Sequence, residues 1–220
     1  MDVLARVCNK DSGTFVELWC DEYYTENPLR DWGDDNFHIE LKGQWEQLGT
    51  EHCPHVLDGK EFRSDRDFFR EVAKRGGVAV PIRAYEHSSV SFSLANTGYP
   101  FNDPWDSYWA GWAYMTPEEV RKTYCGTGAQ QFKTAFKFLE AQVRLMNAYA
   151  NGQIYGVSCY GPDGECVESC GGFFDTFDTT DGLMEDIAYS VPTEYKEMVK
   201  QLDFGHFDEL EVIVTRRVKN

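Results

Sequence analysis

Apolar and polar residues alternate one by one over several short stretches, and apolar residues recur every third or fourth position over others. The first pattern predicts strands and the second helices. Alternation over 2–8 and 14–20, around the turn cluster Asn9-Lys10-Asp11-Ser12-Gly13, predicts an N-terminal hairpin. Phe37, Ile39 and Leu41 alternate with polar residues and predict a strand over 37–42. Further strands are expected over 78–85, 89–94 and 107–115. Pro81 lacks an amide donor, which puts the first of these at a sheet edge or beside a bulge. Strands over 153–160 and 165–169 flank Gly161-Pro162-Asp163-Gly164, a hairpin turn signal, and 210–218 closes the chain as a last strand.

Helix signals fall between these strands. Ser64 can cap a helix over 64–75, with Asp65 and Asp67 in its first turn, Phe68, Phe69 and Val72 on its apolar face, and Gly76-Gly77 as its stop. Thr116-Pro117-Glu118-Glu119 starts a short helix that ends near Cys125-Gly126. Phe132, Phe136, Leu139, Val143, Met146 and Ala150 form one stripe along a long helix at about 129–151. Weaker helices are expected near 182–189 and 193–202. Without regular strand–helix–strand alternation, the class is α+β: an antiparallel or mixed sheet packed on one long amphipathic helix. The expected division is a core domain over 1–172 and an acidic C-terminal extension over 173–220, packed on that core.

Composition narrows the function. The 220 residues are 42% hydrophobic and 15% aromatic, enough for a core. The formal net charge of −16 argues against direct binding of nucleic acid or of an anionic membrane surface. No signal-peptide core and no run of 18 apolar residues occurs, and the seven cysteines are an odd number. Reduced thiols in a cytosol are therefore expected.

Charge is also segregated. Residues 163–211 carry fourteen acids against Lys196 and Lys200, whereas 72–162 is close to neutral. One reading is a solvated face that maintains solubility. The sharper reading is a partner-binding array of Asp175, Asp178, Asp181, Glu185, Asp186, Glu194, Glu197, Asp203, Asp208 and Glu209. Such an array can imitate the phosphates of a polynucleotide. Interleaved Phe173, Phe174, Phe177, Tyr189, Tyr195, Phe204 and Phe207 predict that the segment folds or docks.

Two further constellations bear on chemistry. His87 with Asp106 and either Ser88 or Ser107 could form a base–orienter–nucleophile set, if the loops that hold them meet. The alternative is that these side chains pin turns. His52-Cys53-Pro54-His55 and the Cys166/Cys170 pair are weak metal candidates, with ordinary packing as the alternative. No phosphate-cradling or dinucleotide motif is present, so no cofactor is expected.

Four stretches, taken in order, carry a resemblance. They are Val80-Pro81-Ile82-Arg83-Ala84-Tyr85-Glu86-His87-Ser88, Asp103-Pro104-Trp105-Asp106-Ser107, Gly111-Trp112-Ala113-Tyr114 and Glu118-Glu119-Val120-Arg121-Lys122-Thr123-Tyr124. With Asn151-Gly152-Gln153-Ile154-Tyr155-Gly156 and Glu168-Ser169-Cys170-Gly171-Gly172-Phe173-Phe174, the chain resembles a family of small proteins encoded by bacteriophages and mobile elements. That family carries "YDHSG", "PWDSGQVG", "KVRKEYG", "GDVYG" and "DSCWGFYG" motifs. Here Ser89 replaces the Gly of the first motif, and Tyr108-Trp109 replaces the Gly-Gln of the second. The resemblance covers about 45–175 and brings no catalytic residue with it. It implies an accessory protein working in a bacterial host cytosol, where such genes often encode inhibitors of host defence.

The leading expectation is therefore a non-enzymatic inhibitor of a restriction or CRISPR effector, acting through its acidic surface on a host nucleic-acid-binding protein. The alternatives are a small hydrolase or transferase built on His87 and Asp106, and an interaction module. The module would use an aromatic surface around Trp105, Trp109 and Trp112 to pair with itself, as a homodimer, or with a partner.

Overall fold

The computed structural model describes residues 3–32, 36–95, 105–176, 180–202 and 211–215. It divides the chain into two compact units. One joins residues 1–25 to 152–220, and the other is the intervening 26–151. This differs from the expected division after 172. The N-terminal hairpin, β1 (Val3–Asn9) and β2 (Phe15–Cys20), finds its sheet partners more than a hundred residues later, so both chain ends belong to one unit.

In the first unit, β2 pairs antiparallel with β9 (Ile154–Tyr160), and β9 with β10 (Cys166–Phe174). β11 (Glu211–Thr215) runs parallel to β1, giving the order β10-β9-β2-β1-β11. Two helices, α5 (Thr180–Ser190) and α6 (Lys196–Val199), supply Leu183, Met184, Ile187, Ala188, Met198 and Val199. These pack in one buried cluster with Val7, Val16, Leu18 and Val157 of the sheet. Burying one such aliphatic side chain contributes about 1.5–3 kcal/mol relative to leaving it in water. The helices are thus held by their apolar side, and their polar side faces out.

The second unit opens with α1 (Pro28–Asp31), whose first turn is fixed by the Asn27 side chain accepting from the Leu29 amide. Next come β3 (His38–Leu41), a 3-10 helix at Gly43–Leu48, and the small hairpin of β4 (Val56–Leu57) and β5 (Lys60–Glu61). The capped helix α2 (Asp65–Lys74) leads into β6 (Val78–His87), β7 (Ser89–Leu94) and β8 (Ser107–Met115). Then α3 (Pro117–Thr123), with a full capping box from Thr116 and Glu119, precedes α4 (Gly128–Ala150). The sheet is antiparallel, in the order β3-β8-β6-β7.

Pro81 lies in β6, which is an inner strand, and the register shifts next to it at Ile82/Arg83. The Pro81 carbonyl accepts from the Ala95 amide, so its missing amide faces the chain just past β7, beyond the last pair of the β6–β7 ladder, and no ladder bond is lost. Alternation sorts the side chains of this sheet into two faces. Ile39, Leu41, Val80, Ile82, Ala113 and Met115 share a core with Ala135, Leu139, Val143 and Met146 of α4. Tyr114 lies on the opposite face, in a second cluster with Phe68, Phe69 and Val72 of α2. Asn147 of α4 and the C-cap residue Asn151 exchange hydrogen bonds with the backbone of Phe92 and Val90, which closes off part of the edge strand β7.

The α+β class and the antiparallel sheets agree with the sequence reading. A single sheet on a single helix does not describe the molecule, because each unit has its own sheet and its own helices. Among the described residues, no helix is long and apolar enough to cross a membrane.

Candidate functional site

The second face of the 26–151 sheet carries the polar members of β3, His38 and Glu40, beside Tyr114 and Trp112 of β8. Gly111 makes this approach of the strands possible. A Cβ there would stand 1.9 Å from the Glu40 carbonyl oxygen, so any side chain would force β3 away. The chain after the 3-10 helix is tied back onto β3 by Thr50. Its amide donates to the Ile39 carbonyl (2.9 Å), and its hydroxyl accepts from the Ile39 amide (3.0 Å). This lays His52 and His55 over Glu40.

A cavity of about 450 Å³ opens at this place, lined in part by Arg30, Glu40, Lys42, His52, His55 and Asp65. His55 is 9% exposed, with its ring stacked on Phe68 at 4.3 Å and edge-on to Phe69. Its Nε2 is 2.9 Å from Glu40 Oε2, and its Nδ1 is 3.6 Å from Asp65 Oδ1. Lys42 Nζ donates to the other oxygen of Asp65 at 2.6 Å. The Tyr114 hydroxyl donates to Glu40 Oε1 at 2.8 Å, and His52 Nδ1 stands 3.6 Å from the same oxygen. Glu40 is thus a half-buried carboxylate with both oxygens engaged.

Charges here are matched. Burial, then the neighbouring Glu40 carboxylate, pushes the Tyr114 phenol well above its ordinary value, so it stays a donor. On the same strand pair, His38 Nε2 meets Glu119 Oε1 at 2.8 Å. Burial opposes the Glu119 charge, but the His38 contact and the Thr116 amide outweigh it and lower the carboxyl below its usual range. For Asp65, the hydrogen bond from Lys42 outweighs partial burial and lowers its pKa too.

The other constellations are placed as follows. His87 and Ser88 sit at the exposed tip of the β6–β7 hairpin, where Ser88 has a positive φ of 59° and its hydroxyl donates to the His87 carbonyl. Strand register puts Tyr85 opposite Ser107, and the Tyr85 and His87 rings lie parallel, 6.4 Å apart, on that face. Asp106 instead meets Glu86 through the backbone and falls on the opposite side of the pleat. Among the described contacts, nothing joins His87 to Asp106.

Cys166 is exposed, while Cys170 is half-buried against the helical layer of its unit; both thiols lie near Glu168. Among the described residues, the cluster with metal-ligand spacing is Glu40, His52 and His55, without these cysteines and without Cys53. Trp105 and Trp109 are exposed, Lys42 lies over the Trp109 ring, and Trp112 stacks on Phe69.

Of the acidic array, Glu185, Asp186, Glu194 and Glu197 are exposed on the layer of α5 and α6, and Asp175 is half-buried after β10. Lys200 pairs with Glu197 at 3.2 Å, and Lys196 lies over Tyr189. Asp178, Asp203, Asp208, Glu209 and the side chain of Asp181 lie outside the described residues.

Sequence reasoning found His52 and His55 but not Glu40 or Tyr114. The available signal was the alternation in β3, which sets Glu40 on the face opposite Ile39 and Leu41. Which loop covers that face is a matter of tertiary contact. No protein-family model, curated protein or solved structure matches the chain.

Proposed function

We propose that the chain is a non-enzymatic accessory protein of a phage or mobile element that inhibits a host nucleic-acid-handling enzyme. It presents the acidic outer side of α5 and α6 to that enzyme's basic groove. One observation carries this reading: α5 with Glu185 and Asp186, α6 with Glu197, and the 3-10 turn between them (Thr193–Tyr195) with Glu194 are anchored by Leu183, Ile187, Tyr195, Met198 and Val199. Carboxylates fixed on docked helices lose little further side-chain and backbone freedom on binding, unlike those on a loose tail. Their field also speeds encounter with a basic partner. The hydrolase alternative gains no support from the separation of His87 and Asp106.

The test is inhibition of DNA cleavage by a type I restriction enzyme and by an RNA-guided DNA nuclease, across a salt series. Inhibition is expected to weaken steeply with salt and to disappear in the Glu185→Lys, Asp186→Lys, Glu194→Lys, Glu197→Lys variant. Undiminished cleavage by both nucleases, or inhibition indifferent to salt and to charge reversal, would overturn the reading.

A further inference from the structure

The pocket of the 26–151 unit holds a second kind of chemistry that the acidic-surface reading leaves unused. Glu40, His52 and His55 each offer one ligand atom, and the three atoms lie within 4.8 Å of one another. His55 Nε2 is 2.9 Å from Glu40 Oε2 and His52 Nδ1 is 3.6 Å from Glu40 Oε1, each within about half an ångström of the donor spacing in a tetrahedral zinc site. There, donors about 2.0–2.1 Å from the ion stand about 3.3 Å apart.

Surrounding groups orient two of the three. His55 is clamped between Phe68 and Phe69, and Asp65, 3.6 Å from its Nδ1, is placed to accept from Nδ1–H once Nε2 ligates an ion. Lys42 in turn holds Asp65. Tyr114 fixes the Glu40 carboxylate from behind. His52 is 70% exposed and supplies the ligand that closes the site from the solvent side.

We infer that Glu40, His52 and His55 form a three-ligand site for a divalent transition metal of the zinc class. Two imidazoles and one carboxylate suit Zn²⁺, and its spectroscopic stand-in Co²⁺, better than Mg²⁺ or Ca²⁺, which take all-oxygen shells. All three residues line the cavity, so an ion held there keeps a side open to water or to a small ligand. An ion bound there replaces the His55 Nε2–Glu40 Oε2 contact, and any proton held in that contact is released to water. The inference is independent of the acidic surface, since none of its residues belongs to that unit.

The test is titration of the full chain, metal-free and with reduced thiols, with Co²⁺ and Zn²⁺. Visible absorption, calorimetry and thermal unfolding are the readouts. One Co²⁺ per chain is expected, with d–d bands of nitrogen/oxygen ligation and no thiolate charge-transfer band, displaced by Zn²⁺. His52→Ala, at an exposed position that leaves the fold intact, should weaken binding at least tenfold. Asp65→Asn should weaken it about 10–100-fold through His55. Cys166→Ser with Cys170→Ser should change nothing. Absence of binding, a thiolate spectrum, or binding that survives His52→Ala would overturn the inference.

Discussion

Glu40 and Glu197 are the same side chain in opposite surroundings. Glu40 lies in the pocket wall with Tyr114 and His55 bonded to its two oxygens. Glu197 stands on α6, mostly in water, with Lys200 one helical turn away. Burial makes each partner of Glu40 obligatory, because a half-buried polar group without a partner costs far more than a satisfied one yields. Solvent makes the partner of Glu197 optional, since water replaces it. The pocket therefore depends on each of its contacts, whereas in the helical layer charge is summed and single members matter little.

The largest expected effect tests whether the charged layer is anchored at all. Ile187→Ala removes a fully buried side chain from the contact of α5 with its sheet, and should cost about 2–5 kcal/mol in denaturant unfolding. A change below 1 kcal/mol would mean the helix is not docked through this residue, and the contrast between anchored and loose carboxylates would be lost.

Next comes the pocket. Glu40→Ala leaves the Tyr114 hydroxyl and His55 without their acceptor and should cost about 1–3 kcal/mol. Gly111→Ala should cost a similar amount by pushing β3 off β8, about 1–3 kcal/mol. The two would diverge in metal titration if Gly111 served only the fold.

A third effect is silent at neutral pH. Burial raises the Cys159 thiol from its ordinary value of 9.0 to about 12. Because the folded value lies above the unfolded one, this group's contribution is fully present below about pH 9 and is lost as the pH rises towards 12. Tyr155, raised by burial to about 12, acts in the same direction. Unfolding followed from pH 8 to 11 should show falling stability, with a shallower slope in Cys159→Ala. Thiol reagents should label the exposed Cys125 and Cys166 first and reach Cys159 only on unfolding.

The smallest effect completes the contrast. Glu197→Ala should shift stability by no more than about 0.5 kcal/mol, in the range of ordinary surface substitutions. A loss as large as that of Glu40→Ala would erase the distinction between the two environments.

Local pattern makes most of the elements legible in the sequence. The stripe from Phe132 to Ala150 corresponds to α4, the Thr116 cap to α3, and the turn Gly161-Pro162-Asp163-Gly164 to the β9–β10 hairpin. These signals act over a few residues, through periodicity, caps and turn residues, so the sequence displays them directly. The short elements α1, β4 and β5 leave no such signal, because two to four residues carry too little periodicity to register.

Partnership between distant segments was decided only by the tertiary structure. Pairing of Phe15 with Tyr160, and of His38 with Tyr114, depends on which apolar faces meet. Many strands of similar composition could satisfy that condition. The same holds for the pocket: alternation sets Glu40 on one face of its strand, but Thr50 and Gly111 bring His52 and His55 across it. The sequence determined each segment's shape and charge. Long-range packing, which has no local signature, decided which charges came to share a site.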